Sequence, residues 1–401
     1  MQSSPAEELI LLKNICKTGC LQHFVRAIAD DDAEEYAAAY AELLETDEQN
    51  DLSRHVARAV LSDDNLFARR AFERRLNADI RAAYRHDLLI LRSVVSRADD
   101  LPPRLSEKTK NGMPKIGTGS FDTLFGNDWT SEKTISDIEH YFEKNGYGIF
   151  IGNKAFTFEN GRLFPVKNTS DITLADLKDY QDEKRAVEDN IVSFLRGLPY
   201  SNMLLYGDKG TGKSSTVHAM LNKYADDGLR AVEIPKDRVL EINALKETLC
   251  GLPFKFLIFI DDLSLEENDE KVTSLKASLE GSMNEKSHNV MIVATSNRRH
   301  ILKENFSDRN NSVHASDTME EQLSLSDRFG LTVLFSSTGK ATYLSIVSQL
   351  AQDKKLDIPE NELFSLAERW AISKGGRSPR RAKQFIDYIY ACKMKNTEIL
   401  F

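Results

Sequence analysis

The run Gly207-Asp208-Lys209-Gly210-Thr211-Gly212-Lys213-Ser214 sets glycines, a lysine and a hydroxyl at the spacing G-x-x-x-x-G-K-[ST], followed by Ser215. This combination is suited to holding a chain of phosphates. Glycines let the backbone curl until successive N–H groups point inward at phosphate oxygens. The helix that follows adds the positive end of its dipole. Lys213 supplies a mobile charge to the β- and γ-phosphates of ATP, and the Ser214 hydroxyl is a ligand for Mg2+.

A second group of residues could complete that chemistry. The apolar run Leu257-Ile258-Phe259-Ile260 ends in Asp261-Asp262, which places two carboxylates at the carboxyl edge of a sheet, where phosphates lie. Asp261 would hold the magnesium through water, and Asp262 would orient or deprotonate an attacking water. A third apolar run, Val290-Met291-Ile292-Val293, ends in Ala294-Thr295-Ser296-Asn297. Its small polar residues can reach a water between the γ-phosphate and Asp262.

These residues need a scaffold. From Leu174 onward, apolar strands alternate with helical stretches, which predicts a parallel sheet with helices on both faces. Five strands are expected, at residues 203–206, 230–234, 256–260, 290–294 and 331–335. The stretch from about Ala341 to the end reads as an all-helical lid. Upstream, residues 147–166 alternate as strands around Asn160-Gly161, a strong hairpin signal. Residues 121–125 read as a short helical piece, and residues 130–144 as a helix capped by Thr130 or Ser131. Residues 98–119 read as a linker.

The first hundred residues read as helical. Residues 33–44 form a helix that Asp31 or Asp32 can cap. Phe72, Leu76, Ile80, Tyr84 and Leu88 recur every four residues, the stripe of one long buried helix face. The same stretch carries Arg69, Arg70, Arg74, Arg75, Arg81, Arg85 and Arg92. Such a run could grip phosphates, but it is expected to be a solvated face partly opposite the acidic residues 30–51.

Taken in order, the P-loop, the acidic strand end, Ala294-Thr295-Ser296-Asn297 and Leu325-Ser326-Asp327-Arg328-Phe329-Gly330 resemble the AAA+ ATPases. Leu204-Leu205-Tyr206-Gly207, Ile260-Asp261-Asp262-Leu263-Ser264 and Ala294–His300 are similar to a mainly bacterial branch whose domain has no assigned function. The resemblance spans roughly residues 146–392. It implies an α/β AAA+ P-loop core, with a five-stranded parallel sheet flanked by helices, a helical lid and an N-terminal helical domain. The expected limits are 1–97, 98–170 for the linker and hairpin connector, 171–338 for the core and 339–401 for the lid.

The resemblance further implies that Asn297 contacts the attacking water as sensor 1. Arg328 takes the place of an arginine finger delivered to a neighbouring subunit. Arg380, within Gly375-Gly376-Arg377-Ser378-Pro379-Arg380-Arg381, is the chosen lid sensor, with Arg377 and Arg381 close by. Tyr180 is placed near the adenine. Many AAA+ proteins carry Asp-Glu where this chain has Asp261-Asp262, which suggests slow or partner-dependent turnover; Glu266 could substitute. Residues 235–251 lack the aromatic-hydrophobic-glycine loop of threading unfoldases.

At 401 residues, 41% hydrophobic and 29% charged, the chain has the profile of a globular protein with two or three domains. The longest apolar runs fall far short of the ~20 residues that cross a bilayer, so no membrane role and a cytoplasmic location are expected. The net charge of −9 argues against coating nucleic acid. Residues 69–92 and Arg298-Arg299-His300 are the candidate basic patches. Cys16, Cys20 and His23 could share a helix face, but no second ligand cluster accompanies them, and they are read as buried thiols without metal. The expected output is a ring- or filament-forming homo-oligomer that remodels an unidentified protein or nucleic-acid partner, nucleic acid being the less supported of the two. Alternatives are a slow nucleotide-dependent switch or scaffold, again with nucleic acid as a conceivable associate, and, least supported, a phosphotransferase.

Overall fold

The structure, a computed structural model, describes residues 5–46, 50–98, 100–109, 112–117, 125, 128–266, 270–280, 288–297, 302–303, 327–395 and 397–399. It divides into two compact units, residues 1–153 and 154–401.

The first unit is helical. Its helices are α1 (Pro5–Glu8), α2 (Cys20–Asp30), α3 (Ala33–Glu45), α4 (Leu52–Ser62), α5 (Leu66–Phe72), α6 (Ala78–Ser96), α7 (Leu101–Thr109) and α8 (Glu132–Asn145). Asp32 caps α3 by accepting from the Glu34 N–H, and Ser131 caps α8. The stripe from Phe72 to Leu88 is split between two helices instead of running along one. Arg74, at φ +55°, turns the chain out of α5, and the Asn77 side chain accepts from the Ile80 N–H to start α6. Part of the expected linker is helix α7, whose Pro102 and Pro103 fall in the first turn, where a missing N–H costs no helical bond. The piece expected at residues 121–125 lies outside the described residues except for Phe125.

The arginines of α5 and α6 are paired, and their partners differ from those expected. Arg81 meets Glu132 and Glu139, Arg85 meets Glu132, and Arg92 meets Asp128. Arg69 and Arg70 pair with Asp64 and Glu73. The acids therefore come mainly from α8 and its approach, not from residues 30–51. A basic face neutralised in this way offers little to a phosphate backbone.

Cys16 and Cys20 are buried, and His23 is held 2.7 Å from Glu35. Burial pushes the Cys16 thiol up to about 11 and the Cys20 thiol up to about 12, with smaller contributions from Asp87 and Glu42. Only the thiolate reacts. At pH 8, a thiol reagent is therefore expected to modify Cys16 and Cys20 at least about 100-fold more slowly than it modifies a free cysteine in the same solution. Mass-spectrometric timing of alkylation checks this, and equal rates would refute it.

The second unit carries a seven-stranded sheet in the order β2-β1-β4-β5-β7-β3-β9. The strands are β1 (Ala155–Glu159), β2 (Arg162–Pro165), β3 (Met203–Gly207), β4 (Leu229–Glu233), β5 (Lys255–Ile260), β7 (Val290–Ser296) and β9 (Leu331–Phe335). Short β6 (Leu265–Glu266) and β8 (Leu302–Lys303) form a separate parallel pair. The five expected strands are all present and parallel. Their buried apolar faces pack against α9 (Gln181–Leu195) and α10 (Lys213–Tyr224) through Val187, Ile191, Val217 and Met220. The hairpin around Asn160-Gly161, both at positive φ, adds two more strands, because β1 pairs parallel with β4. Among the described residues three helices form the lid: α11 (Lys340–Asp353), α12 (Glu360–Ser373) and α13 (Pro379–Lys395), closed over Tyr343, Trp370 and Phe385. Among the described residues no helix is long and apolar enough to cross a membrane.

Candidate nucleotide-binding site

The P-loop joins β3 to α10 at the carboxyl edge of the sheet. Gly207 sits at φ +130°, and a Cβ there would lie 2.0 Å from the Phe335 carbonyl oxygen, so only glycine lets β3 and β9 run together. Gly212, at φ +101°, is the residue from which α10 departs. Gly210 touches the lid: the Arg380 N–H donates to its carbonyl at 3.2 Å.

Lys213 is buried, and its Nζ donates to the carbonyls of Gly207 (2.8 Å) and Asp208 (2.7 Å) and to Asn297 Oδ1 (3.3 Å). Burial lowers the Lys213 ammonium below the usual lysine value, while Asp208, Asp262 and Asp261 act against that shift. The Asn297 amide donates in turn to Asp262 Oδ1. Asp261 Oδ1 accepts from both the Ser214 hydroxyl and the Thr295 hydroxyl, each at 2.6 Å. Lysine, amide, both acids and both hydroxyls thus form one connected network.

That network floors a cleft of about 480 Å³, within the ~300–1,000 Å³ of small-molecule sites. Lys209, Gly210, Thr211, Gly212, Lys213, Ser214 and Ser215 line its polar end, whereas Gly207 and Asp208 contribute carbonyls to Lys213. Ile172, Leu177, Tyr180, Ile346 and Leu350 form an apolar end suited to a flat base. Tyr180 is buried on that wall; its hydroxyl donates to the Ser336 carbonyl at 2.7 Å and its ring lies 5.5 Å from Phe335. The glycine cradle, the lysine and the apolar wall fit a nucleoside triphosphate. The hydroxyl of Ser214 beside the carboxylate of Asp261 is a pair of hard oxygen donors that fits Mg2+.

The three lid arginines occupy different places. Arg380 lines the cleft, Arg377 is engaged by Glu368 through two bonds of 2.9 and 2.6 Å, and the Arg381 guanidinium lies against Gly376. Arg328 stands in the turn at residues 327–330 before β9 and is not among the residues lining its own chain's cleft. Arg298-Arg299-His300 lie outside the described residues, as does the side chain of Glu266. Among the cleft residues, Lys383 and Lys184 were not singled out from the sequence. Lys383 lies three positions after Arg380, a spacing that shares a helix face. Lys184 is buried and donates to the Leu177 carbonyl at 2.7 Å. Thr295 follows Ala294 at the strand end and carries two of the network's bonds.

Sheet, P-loop, acidic strand end and lid together make a P-loop nucleotide-binding fold of the AAA+ class. The model of the family described as a protein of unknown function (DUF815) matches residues 152–393, and the chain belongs to that family. An AAA-ATPase of Arabidopsis thaliana is 33% identical over 114 residues, which is 26% of this chain and 23% of that protein. The chain therefore spans about a quarter of that relative's length. Among solved structures, the Holliday-junction branch-migration motor RuvB of Thermotoga maritima aligns at TM-score 0.40 and 14% identity, over 57% of this chain and 68% of that one. The AAA domain of FIGL-1 in complex with ADP aligns at TM-score 0.39 and 17% identity, over 57% and 76%.

Proposed function

We propose that this protein binds Mg2+ and ATP in the P-loop cleft and hydrolyses ATP to ADP and phosphate as a homo-oligomer, remodelling a protein partner. The observation that carries the reading is the unbroken chain of contacts from Lys213 through Asn297 to Asp262, and from Ser214 through Asp261 to Thr295. A bound magnesium ion would neutralise phosphate charge. Ser214 and Asp261 hold it, Lys213 grips the phosphates, and Asp262 with Asn297 aligns the attacking water. Arg380 brings the lid's charge to the same cleft, and Arg328 serves a neighbouring copy. Tyr180 backs the base. The limits 1–97, 171–338 and 339–401 for helical domain, core and lid and a cytoplasmic setting belong to the same proposal, whereas the hairpin of the expected 98–170 connector joins the core sheet through the pairing of β1 with β4.

A second reading, a slow nucleotide-gated switch, is favoured by the short acid at Asp262. The paired arginines of α5 and α6 favour a protein over a nucleic acid as partner. Steady-state ATPase activity against protein concentration tests both readings. Specific activity is expected to climb with concentration, and Lys213→Ala is expected to lower it by at least about 10²- to 10³-fold through loss of phosphate-charge stabilisation. Intact ATP binding with flat, negligible turnover would replace the motor by the switch.

A further inference from the structure

Thr295 does more than close a strand. The ladder between β5 and β7 pairs Phe256 with Val290 and ends at Ile260 opposite Ala294. Beyond that point the chain leaves β5 through Asp261 and Asp262, and Asp262 adopts φ +49°, in the left-handed region. A residue turned that way cannot continue the ladder, so its N–H needs another acceptor. The hydroxyl of Thr295 supplies it, at 2.9 Å. The same hydroxyl spends its one proton on Asp261 Oδ1, at 2.6 Å, and the Thr295 carbonyl accepts from the Leu263 N–H at 2.7 Å. Three consecutive residues, including both acids, are thereby fastened to one threonine that is 2% exposed.

We propose that Thr295 is the positioning residue of the acidic pair: it locks the left-handed turn that aims Asp262 and fixes the carboxylate plane of Asp261. The inference rests on the ATP-hydrolysis reading above. Asp261 Oδ1 is gripped from one side by Ser214 of the P-loop and from the other by Thr295 of β7. Two donors on one oxygen set the direction of the other, the orientation that a metal or its bound water requires. Threonine suits the task because its branched side chain is stiff about χ1. Valine keeps that shape without the hydroxyl, and serine keeps the hydroxyl without the methyl group.

The test uses the full chain as wild type, Thr295→Val and Thr295→Ser, with two readouts. The first is the affinity for a fluorescent ATP analogue with Mg2+ and with EDTA; the second is turnover as Mg2+ is varied. Thr295→Val is expected to keep the wild-type affinity in EDTA and to lose most of the gain that Mg2+ brings. Its kcat should fall about 10- to 100-fold, with half-saturating Mg2+ rising, while Thr295→Ser stays close to wild type. A packing role alone would make Thr295→Ser the worse variant and leave Mg2+ dependence unchanged in both, which overturns the proposal. A wild-type protein that neither binds nor hydrolyses Mg2+-ATP would instead remove the reading beneath it.

Discussion

Arg328→Ala is expected to lower ATP turnover about 10³- to 10⁵-fold, the range associated with a cation delivered to a transferring phosphoryl group. ATP affinity should change far less. Charge spreads over the phosphoryl oxygens as the bond to the leaving group lengthens, and a fixed guanidinium stabilises that charge better than mobile water. Arg328 lies in the turn preceding β9 and is not among the residues lining its own chain's cleft, so under the proposed reading it serves the γ-phosphate of another copy. Mixing separates this from a structural role. A chain with Lys213→Ala still has Arg328, and a chain with Arg328→Ala still has its P-loop. Combined, the two inactive variants are expected to recover part of the wild-type turnover, because Arg328 of the Lys213→Ala chain completes the intact P-loop site of the Arg328→Ala chain. Failure to recover any activity, with mixed oligomers verified by cross-linking, would exclude a composite site.

The parts of this machine that could be read from the sequence are those in which chemistry and local structure coincide. The P-loop, Asp261-Asp262 and Asn297 each follow an apolar run too short for a helix, and the runs before Asp261 and Asn297 are also rich in β-branched residues, so motif and strand point the same way. The sheet strands fall within one or two residues of expectation for that reason. What could not be read depends on partners distant in the chain. The hairpin at Asn160-Gly161 was visible as a hairpin, but the pairing of β1 with β4 is settled only by tertiary packing. The period-four stripe from Phe72 to Leu88 suggests one buried helix face, but only Tyr84 and Leu88 are buried, and the Asn77 cap competes with helix continuation and wins. The ion partners of Arg81 and Arg85 lie on α8, where no local pattern points. That Arg380 lines the cleft while Glu368 engages Arg377 depends on a partner nine positions away that no local pattern names.

Asp262 is the residue on which rate should depend most after Arg328. Asp262→Asn is expected to cut kcat about 10²- to 10⁴-fold, the usual contribution of a positioned acid or base, with ATP affinity largely retained because the P-loop is untouched. The argument for an aspartate here is conformational as well as chemical. At φ +49° a short polar side chain can offset the left-handed penalty by local hydrogen bonding. Asp262 is also held there from across the sheet, its N–H by the Thr295 hydroxyl and its carboxylate by the Asn297 amide. Glutamate would place its carboxylate one methylene further from that amide while still paying the backbone cost of roughly 1 kcal/mol. Asp262→Glu should therefore lower both the melting temperature and kcat, the latter less than Asp262→Asn does, instead of raising turnover toward that of an Asp-Glu pair. Steady-state kinetics with thermal melts of the three proteins distinguish the cases. Turnover near the wild-type level in Asp262→Asn would shift the base role to Glu266. A faster Asp262→Glu enzyme would mean that reach, not the turn held by Thr295 and Asn297, limits the rate.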